Sequence, residues 1–136
     1  MRSELENAQL RKTIVEADKE LTQWSHYLET NYYLELGSDP LLIDTIERRL
    51  NQLAQRIQIL EPLFDVTRTS LIEADYYFVA TERLDEAVKV VRSIREKSYG
   101  SRQYTRQCLY QITQCAESVR QVREIAFNTY APVIAG

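Results

Sequence analysis

Apolar residues recur every three or four positions along several stretches of the chain, a spacing that places them on one face of an α-helix. Only three Gly and three Pro, the residues that interrupt helices, occur in the 136 residues, and they fall between these stretches. The first stretch is the most regular, with spacings that alternate between four and three: Leu10, Ile14, Ala17, Leu21, Trp24 and Leu28. Such a heptad seam is narrower than the stripe of an ordinary globular helix and is typical of coiled-coil-like packing.

The pattern predicts an all-α protein, an antiparallel bundle of three to four long coiled-coil-like helices. We expect helices at about residues 3–36, 40–61, 63–98 and 102–130, within a single domain that covers residues 1–136. Ser3 and Glu6 form a capping-box pattern at the start of the first helix. Gly37 suits the end of that helix and Pro40 the first turn of the next, so the short connection should fold the second helix back on the first.

Pro62 leaves two arrangements open for the middle of the chain. The apolar seam that begins at Leu53 runs past Pro62 to Phe78 without a change of register, which favours one long helix kinked at Pro62. A proline also removes a helical hydrogen bond and disfavours helix at the preceding residue. The alternative is therefore a turn at Glu61 and Pro62, followed by a third helix that begins near residue 63.

The second half of the chain carries three further boundary signals. The seam shifts by one residue between Phe78 and Leu84, which predicts a local unwinding or a break. Gly100 and Ser101 suit the end of one helix and the N-cap of the next. Pro132 should end the last helix.

Composition places the chain among ordinary globular proteins, with 44% hydrophobic and 27% charged residues. No stretch approaches the roughly 18 consecutive apolar residues of a membrane span, so we expect none. The first residues lack the apolar core of a signal peptide, and we expect a cytoplasmic protein.

Charge is distributed unevenly along the chain, although the net charge is only −3. Residues 1–82 carry 15 acidic and 8 basic residues, whereas residues 83–123 carry 4 acidic and 9 basic residues. We expect this asymmetry to reflect complementary packing between the two halves. The alternative is a basic face that binds an anionic partner.

The chemistry available to the chain is limited, because His26 is the only histidine and the three glycines are isolated. This excludes a phosphate-binding glycine loop, a paired-histidine metal centre and a plausible catalytic triad. Cys108 and Cys115 are seven residues apart, about 10 Å along a helix, which is too far for a disulfide. We expect both cysteines to be buried, and we expect a non-enzymatic protein with no cofactor and no metal.

Two groups of residues are candidates for binding. An interaction patch joins tyrosines and arginines near the start of the last helix: Arg95, Tyr99, Arg102, Tyr104 and Arg106. Arginine pairs with phosphate and tyrosine stacks on bases, but the chain has a net negative charge and no nucleic-acid-binding motif, which argues against a nucleic-acid partner. An aromatic pocket for a small apolar ligand is the second candidate, formed by Trp24, Tyr76, Tyr77 and Phe78.

The sequence therefore favours a protein–protein interaction module, such as a scaffold, an adaptor or an assembly factor. Nine tyrosines against three phenylalanines support this hypothesis, since tyrosine is enriched at interfaces. Narrow seams on long helices would leave a thin core, so we also expect a homodimer. A bundle that senses or carries a small apolar or aromatic ligand is the first alternative, and nucleic-acid binding by the basic half is the second.

Overall fold

A computed structural model describes residues 2–31, 39–97 and 102–128, and within these ranges the chain is helical and contains no strand. The elements are α1 (Glu4–Thr30), α2 (Pro40–Gln58), a 3₁₀-helix (Glu61–Phe64), α3 (Leu71–Lys97), α4 (Arg102–Arg123) and a π-helix (Glu124–Asn128) that directly continues α4. The four α-helices pack against one another, α1 chiefly on α4, α4 on α3, and α3 on α2. The all-α prediction is confirmed.

The capping box predicted at Ser3 is present, and Asp39 caps the next helix. Ser3 Oγ accepts a hydrogen bond from the Glu6 amide (3.1 Å), and the Glu6 carboxylate accepts one from the Ser3 amide (2.9 Å), which completes the capping box. Asp39 Oδ1 caps α2 by accepting the Leu42 amide (3.1 Å). These side chains supply acceptors for amides that have no partner inside the helix.

Helix α1 ends at Thr30, earlier than predicted, with Asn31 as its C-cap. The Asn31 side chain and backbone amide both donate hydrogen bonds to the Tyr27 carbonyl (2.8 and 3.0 Å), which closes the last turn. The rest of the predicted helix and the Gly37 boundary lie outside the described residues, as do Gly100, Ser101 and Pro132.

The seam favoured one long helix kinked at Pro62, and this prediction is wrong. Helix α2 ends at Gln58, Pro62 lies in the 3₁₀-helix, and α3 begins only at Leu71 rather than near residue 63. Proline has no amide hydrogen to donate to the carbonyl four residues back, and the chain closes instead with i+3 hydrogen bonds such as Leu60 amide to Ile57 carbonyl (3.0 Å). Asp65 then takes an extended conformation (ψ 141°), which separates the two helices.

The predicted change of register between Phe78 and Leu84 is also wrong. Helix α3 is continuous through this stretch. Its buried stripe begins further back and includes Ala74, Tyr77, Ala80, Leu84 and Ala87. Tyr77 is buried while Phe78 is 43% exposed. Because α3 starts afresh at Leu71, its phase does not continue the seam of α2.

The buried apolar side chains of the described residues form one cluster to which α1, α2, the 3₁₀-helix, α3 and α4 all contribute. Cys108 and Cys115 lie in it as free, buried thiols, as the seven-residue spacing predicted. The seams of α1 and α2 are covered by neighbouring helices of the same chain. The reason for expecting a dimer, that narrow seams would leave a thin core, is therefore weaker than the sequence indicated.

Ion pairs tie the acidic first half of the chain to the basic second half. Asp18 on α1 contacts Arg123 (3.0 Å) and Arg120 (3.7 Å) on α4. Glu47 on α2 contacts Arg95 (3.0 Å) and Arg92 (3.7 Å) on α3. These contacts agree with the prediction of complementary packing between the halves, rather than with a free basic face.

Polar contacts also give the order in which residues on α1 and α4 meet. Ser25 and Thr113 share a hydrogen bond (2.8 Å), and Asp18 contacts Arg123 (3.0 Å). Residue numbers thus fall along α1 as they rise along α4. The start of α1 consequently lies at the same end of the molecule as the end of α4.

Candidate functional site

The described members of the predicted interaction patch do not form one basic surface. Arg95 pairs with Glu47 (3.0 Å) and Asp44 (3.5 Å) on α2. Tyr104 packs against the core and lines a small cleft of about 160 Å³ with α3 residues. Arg106 is exposed. Tyr99 lies outside the described residues, as does the side chain of Arg102.

The four aromatic residues predicted to form a pocket are likewise dispersed. Tyr77 is buried, stacks on Phe64 with ring centroids 4.1 Å apart, and meets the edge of Phe78 at 5.4 Å. Tyr77 and Phe78 line a cleft of about 170 Å³ between α2 and α3, and neither Trp24 nor Tyr76 is among its lining residues. The ring partner of Trp24 is Tyr27 on its own helix (6.1 Å).

A larger cleft, of about 570 Å³, lies at the end of the molecule where α1 and α3 begin and the π-helix ends. We call it the arginine cleft. Its lining residues come from three distant parts of the sequence: Arg2, Asn7, Arg11, Arg68, Thr69, Ser70, Ile72, Glu73, Ile125, Ala126 and Phe127. Sequence reasoning missed this site, because no local motif links these residues.

Two ion pairs hold the polar side of the arginine cleft. Arg2 Nη2 lies 2.8 Å from Glu73 Oε1, and Arg68 pairs with Glu6. The hydrogen bond from Arg68 and the one from the Ser3 amide lower the pKa of Glu6 to about 2. The Glu6 carboxylate is thus charged at neutral pH, and both carboxylates already engage an arginine.

Two further features of the cleft concern Arg2 Nη1 and the guanidinium of Arg11, neither of which is bonded to a carboxylate within the described part of the chain. Arg2 Nη1 is buried, and none of the described residues offers it a hydrogen-bond acceptor. The Arg2 guanidinium lies 5.4 Å from the centre of the Phe64 ring, and that of Arg11 lies 5.1 Å from the centre of the Phe127 ring. Cation–π contacts of this kind hold a guanidinium in position without consuming its N–H donors.

The apolar side of the cleft is built by the π-helix. π-helical turns are rare and frequently occur at functional sites. The extra residue per turn changes the direction of the side chains that follow α4. Ile125, Ala126 and Phe127 of this segment line the cleft, together with Ile72 at the start of α3.

Exposed apolar residues are concentrated near this end of the molecule. Of the ten large apolar side chains that are exposed among the described residues, six lie within residues 59–78. Ile72 lines the arginine cleft, and Tyr76 is only 36% exposed. The other four we call the apolar end: Ile59 (66% exposed), Val66 (66%), Leu71 (74%) and Phe78 (43%).

Acidic residues accompany the apolar end along the chain. Glu61, Asp65 and Asp75 are all exposed, and each lies within three residues of one of the four apolar residues. Hydrogen bonds from the Thr67 amide and hydroxyl lower the pKa of Asp65, so this carboxylate is firmly ionised at neutral pH. The segment therefore carries exposed apolar residues and exposed acidic residues close together in the sequence.

Burial raises the pKa of both cysteine thiols to about 12, which suppresses the thiolate, and His26 is exposed on α1. No group of three or more metal-ligating side chains occurs within residues 2–31, 39–97 and 102–128. In the same ranges, no helix is both long enough and apolar enough to cross a membrane.

Comparison of the chain with protein-family models, with curated proteins and with solved structures gives no match.

Proposed function

We propose that the chain is an antiparallel helical bundle that acts as a non-enzymatic protein–protein interaction module. The observation that carries this proposal is the apolar end. Isolated exposed apolar residues are normal on protein surfaces, but a concentration of them that is bordered by polar groups marks a site of contact. Here four such residues occur within two turns of structure on either side of the connection between α2 and α3.

The position of the apolar end favours binding over a role in folding. Val66 lies on the segment that separates α2 from α3, and Ile59 and Leu71 flank this segment. Connecting segments on a rigid scaffold commonly carry function. Phe64 and Tyr77, which lie in the same part of the chain, are buried and stack on each other, so this region of the backbone is held in place by the core. A pre-formed surface loses less entropy on binding than a mobile one does.

The partner we propose is an amphipathic protein segment with apolar side chains at its centre and Lys or Arg at its edges. Its apolar face would cover Val66, Leu71 and Phe78, and its basic edges would meet Glu61, Asp65 and Asp75. Complementary charge of this kind sets orientation and association rate more than affinity. Binding should accordingly weaken as the salt concentration rises.

A matched pair of variants tests the proposal. Leu71 and Leu41 are both exposed (74% and 81%) and both lie in the first turn of a helix, but only Leu71 belongs to the apolar end. The tagged chain is isolated from its native host as wild type, as Leu71→Ser and as Leu41→Ser, and the accompanying proteins are quantified by mass spectrometry at low and high salt.

We expect a protein with a basic amphipathic segment to be retained by the wild type and by Leu41→Ser but lost from Leu71→Ser and at high salt. If all three chains retain the same proteins in the same amounts, the proposal is wrong. Light scattering measures whether a second copy of the chain, rather than another protein, covers the apolar end. A dimer that Leu71→Ser dissociates would assign the apolar end to the predicted homodimer instead.

A further inference from the structure

We propose that the arginine cleft binds a small amphiphilic anion, a carboxylate or phosphate group carried on an apolar body. This site is separate from the four residues of the apolar end and extends beyond the proposed interaction with a protein. Its volume of about 570 Å³ falls within the range typical of small-molecule sites, roughly 300–1,000 Å³. The inference rests on the charge of the cleft, on an unused donor and on its apolar wall.

Charge favours an anion in the cleft. Three arginines line it, Arg2, Arg11 and Arg68. The charge of Asp65 also acts on Arg68, and the acidic side chains that form ion pairs with the arginines are Glu73 and Glu6. Each of these two carboxylates engages one arginine. Arg11 lies on the ring of Phe127 instead, so its positive charge is left over for a ligand. Guanidinium groups bind carboxylate and phosphate oxygens with paired, charge-assisted hydrogen bonds.

The donor that points to a ligand is Arg2 Nη1. It is buried and has no acceptor among the described residues, while Nη2 of the same group binds Glu73. Buried donors without a partner cost stability, and native proteins generally avoid them. An anionic ligand would satisfy this donor once the Arg2 side chain turns toward the cleft that it lines together with Arg11.

The apolar part of the lining requires an apolar body behind the anionic group. Ile125 and Phe127 of the π-helix line the cleft together with Ile72 of α3. Inorganic phosphate alone would leave this wall uncovered, and a purely apolar ligand would leave the arginine donors unmatched. Pockets that combine an apolar lining with a few placed polar groups are typical of small-molecule sites.

Isothermal titration calorimetry on the full chain tests the proposal with four probes. Octanoate and octyl phosphate carry the two possible head groups on the same apolar body. Octanol lacks the charge, and inorganic phosphate lacks the apolar body. The variants are Arg11→Gln for the charge and Ile72→Ser for the wall. Lys12→Gln is the matched control, since Lys12 is an exposed cation on α1 that does not line the cleft.

We expect saturable binding of octanoate or octyl phosphate, and the tighter of the two identifies the head group. Arg11→Gln should weaken this binding about tenfold or more, because one charge-assisted hydrogen bond is lost. Ile72→Ser should also weaken it, and Lys12→Gln should leave it unchanged. Octanol and inorganic phosphate should bind more weakly than either amphiphile.

Three results would overturn the proposal. The first is the absence of saturable binding for both amphiphiles. The second is equal binding to wild type and Arg11→Gln in chains whose circular dichroism shows the same folded state. The third is binding of octanol or inorganic phosphate as tightly as the better amphiphile, which would remove the need for either the charge or the apolar wall.

Discussion

The Tyr77 hydroxyl donates a hydrogen bond to the Ile57 carbonyl across 2.6 Å, and this contact joins α3 to the last turn of α2. The same carbonyl accepts the Leu60 amide (3.0 Å) in the turn that precedes Pro62. The Tyr77 ring also stacks on Phe64 of the 3₁₀-helix at 4.1 Å. One buried side chain thus fixes the connection from which the apolar end projects.

Replacing Tyr77 with phenylalanine should lower the free energy of unfolding by about 1 kcal/mol. The ring stacking is kept, and the Ile57 carbonyl retains one donor, so only the hydroxyl contact is lost. Urea unfolding followed by circular dichroism measures the change. Tyr76→Phe is the control, because this ring is 36% exposed and its loss of a hydroxyl should change stability by only a few tenths of that amount. Equal effects of the two variants would contradict this role of Tyr77.

Stability should fall in alkaline solution because of the buried thiols. Burial raises the pKa of Cys108 and Cys115 from 9 to about 12. The stabilising effect of the two protonated thiols is thus complete below pH 9 and declines as the pH rises toward 12. At pH 10 the loss is on the order of 1 kcal/mol for each thiol.

A chain with both Cys108→Ala and Cys115→Ala should be less stable than wild type at neutral pH, because two small cavities are created. It should nevertheless lose less stability than wild type between pH about 8 and about 10. Urea unfolding at the two pH values measures how much stability each chain loses between them. Equal losses in the two chains would show that the thiols do not cause the alkaline loss.

The ion pair between Glu6 of α1 and Arg68 of the turn before α3 should weaken in acid. The Glu6 pKa is lowered to about 2 from an ordinary value of 4.5, chiefly by the hydrogen bond from Arg68. A lowered pKa contributes stability that is present above the ordinary value and disappears as the pH falls through the lowered one. Wild type should therefore lose stability between pH 4.5 and pH 2.

Glu6→Gln isolates this contribution, because glutamine keeps the capping-box hydrogen bond and removes the ion pair. Its unfolding curve should respond less to pH over this interval, as measured by circular dichroism during acid titration. Glu4→Gln, in the same turn, should follow the wild type. If Glu6→Gln and wild type respond equally to acid, the Arg68 contact does not contribute to stability.

Asp18, which links α1 to α4, should be costlier to replace than an exposed ion-pair residue such as Asp44. Its side chain is 8% exposed and contacts Arg123 and Arg120, which are each nearly half exposed. We expect Asp18→Asn to lower the free energy of unfolding by about 1–2 kcal/mol, less than for a fully buried pair because the arginines can reach water. The Asp44 side chain is 58% exposed in its ion pair with Arg95, so Asp44→Asn should lower the free energy of unfolding by about 0.5 kcal/mol or less. Thermal and urea unfolding measure the stability of both variants. A larger loss of stability for Asp44→Asn than for Asp18→Asn would contradict this prediction.

Periodicity was sufficient to predict those parts of the fold that depend on local sequence. The seam of α1, the capping box at Ser3 and the cap at Asp39 all depend on residues within a few positions of one another. The same holds for the burial of Cys108 and Cys115. Periodicity was misleading at Pro62, since Phe64 continues the heptad spacing by chance and reaches the core through a 3₁₀-helix rather than through a kinked α-helix.

The arrangement of binding residues could not be read from the sequence in the same way. The arginine cleft joins Arg2, Arg68 and Phe127, whose meeting depends on how three separate helices end together. Conversely, the aromatic cluster around Tyr77 looked like one pocket, yet successive residues of a helix point in different directions. Only Tyr77 faces the core there, while Phe78 lies at the surface.

The central claim is that the apolar end binds a protein partner, and site-specific photo-crosslinking tests it most directly. A photoreactive amino acid replaces Leu71 in one chain and Leu41 in another, each is expressed in the native host, and mass spectrometry identifies the crosslinked peptides. We predict that position 71 crosslinks to a basic amphipathic segment of another protein and that position 41 does not. Crosslinking from position 71 that is no more frequent or selective than from position 41 would contradict the claim.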